Sequence, residues 1–271
     1  MATIDFLTFP VGSIRRSIKD IDDSYRNPWD IYAELTQNAV DAIRKMQKDH
    51  PDECGKITLE INAQDRSIKI EDNGCGMSED EIPCLLQLFS SGKSDDSDSV
   101  GEKGVGLKFA YFQSTFFELN SSNGTSGGKA VIQDARLWKQ SSSSELLKMD
   151  FESTSNQERG TSIFLKDIKI NDDEYDSDNS VFTLTFDQLK YVLRSATYLG
   201  DTSTIWTPSP SPISITIRYI DFNGDKYEEA LGNTYILPTE IFAPTEIIDY
   251  DDFENWLSQR DRSGKNFKAR S

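Results

Sequence analysis

Glu34, Asn38 and Asp41 follow one another at steps of four and three residues within WDIYAELTQNAVDAIRKM, residues 29–46. At about 3.6 residues per helical turn, such steps bring the three side chains onto nearly one face. A carboxylate one turn from a carboxamide can do two jobs at a phosphoryl group. Glu34 can polarise a water for attack while Asn38 offers magnesium a neutral oxygen. Alone, the same spacing also describes a solvent-facing polar stripe. A second carboxylate, Asp72, ends an alternating run and is followed by Gly74 and Gly76 in EDNGCGM. The two glycines permit a sharp turn and leave room beside the carboxylate for a flat heterocycle. An ionised aspartate only accepts hydrogen bonds, which suits the exocyclic amine of adenine. A simple strand-ending turn has the same residues.

Two further segments add weaker signals. In SVGEKGVGLKFAYF, Gly101, Gly104 and Gly106 precede an apolar run that is expected to begin a helix. Exposed backbone N–H groups and the positive end of a helix attract phosphate oxygens, and Lys103 and Lys108 add charge. No GxxxxGK[ST] motif is present, and no strand runs directly into these glycines as a dinucleotide-binding fingerprint requires. A flexible loop accounts for the cluster equally well. In RGTSIFLKDI, Gly160 and Thr161 open a strand, where a hydroxyl can bond to Asp72, to adenine or to a water between them.

These residues need elements to position them. Ile31, Leu35, Ala39, Ala42, Ile43 and Met46 give residues 29–46 an apolar helical stripe, with Asn27 and Pro28 at its start. KITLEINAQ and RSIKIEDNG alternate around Gln64-Asp65-Arg66 as a hairpin would, and a short helix is expected over 79–89. Residues 90–106 are rich in Ser, Asp and Gly and are expected to form a long loop. Strands are expected over 115–120, 130–138, 146–152 and 161–165, a solvated acidic loop over 171–180, and a helix over 186–198. After Gly200 the PSPSP segment marks a boundary, beyond which ISITIRYIDFNGDKYEEAL predicts a hairpin turning at Asn223-Gly224. The domain expectation is therefore residues 1–200, followed by a β-containing extension over 201–271 that includes the start of a truncated further domain.

The order of ELTQNAVDA, DNGCGM, GEKGVGLK and GTSIFL resembles the GHKL superfamily of ATPases, which includes gyrase B, Hsp90, histidine kinases and MutL. The resemblance spans roughly residues 25–200. It implies an α+β, two-layer sandwich known as the Bergerat fold, with helices on one face of a mixed sheet. It implies ATP and Mg2+ as ligands, with Glu34 as general base, Asn38 as the magnesium ligand and Asp72 as the adenine anchor. Thr161 would support adenine recognition, Gly74, Gly76 and Met77 would line the base, and Gly101, Gly104, Val105, Gly106 and Lys108 would close over the phosphates. Asp41 and Ala42 match the helix motif in a structural capacity. Hydrolase branches carry a glutamate at position 34, whereas histidine kinases usually lack it. His50, the single histidine, lies after the first helix, so phosphate transfer to a histidine in cis is not expected. The expected function is slow Mg-dependent ATP hydrolysis coupled to dimerisation or to an attached effector; the alternative is an ATP-sensing module that recruits a protein without hydrolysis. GLK at 106–108 is weakly similar to MORC-type ATPases and GVG at 104–106 to Hsp90. About 70 residues after Gly200 are too few for a complete transducer domain, and SGKNFKARS has no terminating element, so an excised N-terminal domain is expected.

Bulk properties narrow the setting. A formal charge of −17, from 46 acidic and 29 basic side chains, repels polyanions, so direct nucleic-acid binding is not expected. Three cysteines without CxxC pairing suit neither a disulfide framework nor a zinc site. With no secretory leader pattern and no apolar run of about 20 residues, a cytoplasmic location and no membrane partner are expected.

Overall fold

A computed structural model of the chain describes residues 10–25, 27–88, 105–155, 158–170, 181–202 and 213–236. Six helices and eight strands follow in the order α1 (Val11–Ser24), α2 (Asp30–Asp49), β1 (Gly55–Asn62), β2 (Ser67–Asp72), α3 (Glu81–Leu86), α4 (Gly106–Phe112), β3 (Phe116–Ser122), β4 (Gly127–Gln133), α5 (Ala135–Gln140), β5 (Met149–Thr154), β6 (Gly160–Lys166), α6 (Phe186–Ser195), β7 (Ile213–Ile220) and β8 (Lys226–Gly232). The strands form one sheet in the order β5-β4-β3-β6-β2-β1-β7-β8. Neighbours are antiparallel except β1 and β7, which run parallel.

Alternation in the central strands explains why the sheet has a helix-covered face. Ile57, Leu59 and Ile61 of β1, Ile68 and Ile70 of β2, Phe117 and Leu119 of β3, Ile163 and Leu165 of β6, and Ile215 and Ile217 of β7 are all buried. The intervening residues carry charge on the other face, where Lys69 pairs with Glu71, Lys129 with Glu118, and Arg218 with Glu60. One apolar and one polar face per strand is the pattern of a two-layer sandwich. Helix α2 packs on β1 and β2 through Ile31, Leu35, Ala39, Ile43 and Met46, and α4 packs on α2. Each buried aliphatic side chain of this size contributes about 1.5–3 kcal/mol relative to exposure. The mixed sheet flanked by helices is the α+β architecture that the resemblance implied.

Local chemistry sets the turns. Between β1 and β2 the Asn62 side chain accepts the N–H groups of Gln64 and Asp65, and Arg66 takes a left-handed conformation at φ 51°. Asn27 begins α2 by accepting the Trp29 N–H, while Asp30 accepts the N–H of Asn27. Thr185 and Gln188 close a capping box on α6.

Two features differ from the sequence expectation. Residues 135–138, expected to extend a strand, begin α5: Asp134 turns at φ 55°, and Arg136 leaves the sheet to pair with Asp167 at 2.6 Å. Helix α1 was not expected, although Ile14, Ile18 and Ile21 carry its apolar face at helical spacing. The C-terminal hairpin does turn through Asn223-Gly224, with Asp221 accepting the N–H groups of Asn223 and Asp225. Its first strand pairs with β1, so the compact unit that holds the sheet runs through Tyr235. Residues 171–180, the expected acidic loop, and 237–271 lie outside the described residues, as do most of the expected 90–106 loop and the PSPSP segment. No helix among the described residues is long and apolar enough to cross a membrane.

Candidate active site

Asp72 is the last residue of β2, opposite Thr161 of β6. Its carboxylate accepts the Gly74 N–H at 2.8 Å and the Thr161 main-chain N–H. Both bonds favour the ionised form, yet burial outweighs them and raises the carboxyl from its ordinary 3.8 to about 7. The Thr161 hydroxyl is not turned to Asp72; it bonds the Ser121 hydroxyl at 2.9 Å. Ser121 in turn accepts the Met77 N–H at 3.0 Å and bonds the Gly160 carbonyl at 3.1 Å. One serine at the end of β3 thereby ties the glycine turn after β2 to the start of β6.

That turn must also pass close to its neighbours. Gly76 has φ +59°, and a Cβ there would strike the Ser122 carbonyl, so both the conformation and the space exclude a side chain. The Cys75 N–H donates to the carbonyl of Ala42, which fixes the turn to α2. Arg159 donates to the Gly74 carbonyl at 3.1 Å and pairs with Glu53 at 2.6 Å, holding the turn from the opposite side. A cleft of about 720 Å³ borders these strand ends; Asp72, Ser121 and Thr161 line it together with Glu71, Lys129 and Ser162, whereas Gly74, Gly76, Met77, Glu34 and Asn38 do not.

Glu34 and Asn38 sit half-buried on α2, on a face beside its apolar stripe, and Ala42 lies about two turns from Glu34. The Tyr25 hydroxyl donates to Glu34 Oε1 at 2.9 Å. On the other side, Gly106 opens α4 so close to Glu34 that an added Cβ would overlap the carboxylate Oε2. The glycine is therefore a matter of space at this point. Burial and the neighbouring Glu34 charge both push the Tyr25 phenol well above its ordinary value, which keeps it a donor. Val105 precedes α4 and accepts the Phe109 N–H. Lys108 is fully buried, and desolvation lowers its ammonium from 10.5 to about 8. Gly101 and Gly104 lie outside the described residues.

The structure thus groups Asp72, Gly74, Gly76, Met77 and Thr161 at one end, and Glu34, Val105, Gly106 and Lys108 towards the other, with Asn38 on the helix between them. Sequence reasoning missed Ser121, Arg159 and Tyr25. Ser121 had no local signal, because its partner Thr161 is 40 residues away and becomes a neighbour only through β3–β6 pairing. Tyr25 had a faint one, an aromatic residue one helical start away from Glu34. No group of three or more His, Cys, Asp or Glu side chains among the described residues is arranged to hold a metal ion. The single neutral oxygen that Asn38 offers is compatible with magnesium, which keeps several waters and substrate phosphates in its shell instead of an all-protein cage.

Comparison with known proteins identifies the family. The chain is 28% identical to the chaperone protein HtpG of Campylobacter jejuni (strain RM1221) over 179 residues, covering 57% of this chain and 27% of that protein. It is 30% identical to the chaperone protein HtpG of Borreliella burgdorferi over 150 residues, covering 49% of this chain and 23% of that protein. The chain therefore spans about a quarter of the length of these relatives. Residues 25–161, just over half of the chain, match the family model described as histidine kinase-, DNA gyrase B- and HSP90-like ATPase. With the two carboxylates, the glycine turn and the mixed sheet in place, this chain belongs to that ATPase family.

Proposed function

We propose that the domain binds ATP with magnesium and hydrolyses it slowly to ADP and phosphate, with turnover coupled to dimerisation or to an attached effector. The observation that carries this reading is the placement of Glu34. Its carboxylate lies between a hydroxyl donor and the first residue of α4, the helix that follows the glycine segment. Asp72, in its ionised form, would accept the adenine amine, with Gly74, Gly76, Met77 and the Thr161–Ser121 hydroxyl pair forming the base end. Asn38 would hold the magnesium, which supplies charge neutralisation at the phosphates. Glu34 would take a proton from water as that water attacks the γ-phosphorus and the bond to the bridging oxygen breaks. Gly101, Gly104, Val105, Gly106 and Lys108 would close over the phosphates, whose charge would favour the Lys108 ammonium. The coupling to a partner rests on the family and on the relatives, whose chains extend well beyond this domain.

Phosphate release by wild type and Glu34→Gln at matched nucleotide occupancy tests the hydrolytic role. A loss of about 100-fold or more is expected for removal of a general base. Equal rates would refute the assignment, and long retention of intact ATP by the wild type would favour a sensing module instead.

A further inference from the structure

Tyr25 stands outside the four sequence segments, yet its hydroxyl bonds directly to Glu34. Three constraints fix it. Its N–H donates to the Asp22 carbonyl at 3.1 Å as α1 ends. Its ring stacks on Phe109 of α4, with centroids 4.0 Å apart and planes 19° from parallel. Its hydroxyl donates to Glu34 Oε1 at 2.9 Å. The residue that supports its backbone is itself anchored. Asp22 is buried, accepts Gln113 Nε2 at 2.7 Å and pairs with Lys139 Nζ at 2.6 Å, so the end of α1 is tied to the ends of α4 and α5. A phenol held at both backbone and ring has little freedom left, and its hydrogen bond selects one orientation of a carboxylate that would otherwise sample several rotamers.

We infer that Tyr25 is a positioning residue for Glu34: it holds the carboxylate in one orientation, and it ties that orientation to α4 through Phe109. The inference rests on the hydrolytic role proposed for Glu34. Gly106 completes the arrangement from the opposite side, because its missing side chain is the space the carboxylate occupies. The hydroxyl neither meets substrate nor moves a proton; it acts only through Glu34. Its removal should therefore leave nucleotide binding alone and alter the chemical step.

The test is a double-mutant cycle of wild type, Tyr25→Phe, Glu34→Gln and the double variant, each followed by ATP affinity and by kcat across the acid limb of its pH profile. Tyr25→Phe keeps the ring stack and the backbone bond. It should lower kcat about tenfold, the scale of a hydrogen bond to a charged group, without changing ATP affinity. The acid limb should move to higher pH, because a donor that favoured the carboxylate is gone. In the Glu34→Gln background the same change should cost nothing further, since there is no general base left to position. Glu34→Gln inactive with Tyr25→Phe at wild-type kcat and an unmoved limb would overturn the positioning role alone, as would a raised kcat. Glu34→Gln at the wild-type rate would overturn both readings. A Tyr25→Phe loss that persists undiminished beside Glu34→Gln would mark a purely structural effect and would also overturn the inference.

Discussion

At the Asp72 end of the candidate site the carboxylate accepts main-chain N–H groups of a paired strand and its turn, whereas at the Glu34 end the carboxylate accepts a side-chain hydroxyl and lies against the glycine that opens α4. Asp72 accepts two backbone N–H groups fixed by β2–β6 pairing and by the turn at Gly74. Glu34 depends on where α1 ends and where α4 begins. Sheet pairing cannot shift without breaking a ladder, so the contacts of Asp72 are set by the sheet, and those of Glu34 by three helices.

If that division is right, damage at the two ends should separate. The largest effect is expected at Glu34, where Glu34→Gln should lower kcat by about 100-fold or more and leave ATP affinity near wild type, as phosphate-release assays and calorimetry would show. Next is Gly106→Ala, which places a methyl group on the carboxylate. A displacement of about 1 Å can cost on the order of 100-fold in rate, so kcat should fall up to that extent with a smaller change in affinity. A Gly106→Ala enzyme at full activity would show that Glu34 is not confined by α4.

At the other end, Asp72→Asn should weaken ATP binding by about 10- to 100-fold, the scale of a hydrogen bond to a charged acceptor. Its pH behaviour follows from the raised carboxyl. The amine of adenine calls for the ionised form, so wild-type affinity should fall as pH drops through about 7 and should be flat above it. Stability runs the other way. With the folded value raised above 3.8, Asp72 favours the folded state fully below 3.8 and loses that contribution as pH rises through about 7. The neutral Asp72→Asn variant should therefore melt no lower than wild type at pH 8 while binding ATP less tightly, measurable by thermal unfolding with and without nucleotide. The smallest effect is expected from Ser121→Ala, which removes the link among Met77, Gly160 and Thr161. About 1 kcal/mol, or roughly fivefold in affinity, is the expected scale.

How far the sequence revealed each end depends on the range of the contacts. The Glu34–Asn38 stripe was legible because both residues share one helix with its own apolar periodicity, and α2 runs from Asp30 to Asp49 with Ile31, Leu35 and Ile43 buried behind them. Asp72 and its glycine turn were legible because the turn chemistry is contained in EDNGCGM. The contacts that fix those residues were not. Ser121 meets Thr161 across 40 residues, and β7 inserts beside β1 in parallel from more than 150 residues away, a pairing that leaves no mark in either strand. The strand expected over 130–138 ran too far because its alternation has no stop signal, although Ala135, Arg136 and Leu137 favour a helix; the turn at Asp134 and the pairing of Arg136 with the distant Asp167 mark the change. The burial of Lys108 was not legible either: a lysine beside glycines carries no local sign of the packing around α4 that encloses it.

The central claim is that binding and chemistry are assigned to different carboxylates, and one paired measurement addresses it: Kd for ATP and single-turnover phosphate release for Glu34→Gln and Asp72→Asn in parallel. The account predicts a crossed result, with Glu34→Gln binding normally but releasing phosphate about 100-fold more slowly or worse. Asp72→Asn should bind about 10- to 100-fold more weakly yet turn over bound ATP at close to the wild-type rate. Loss of binding in Glu34→Gln together with normal binding in Asp72→Asn would contradict it.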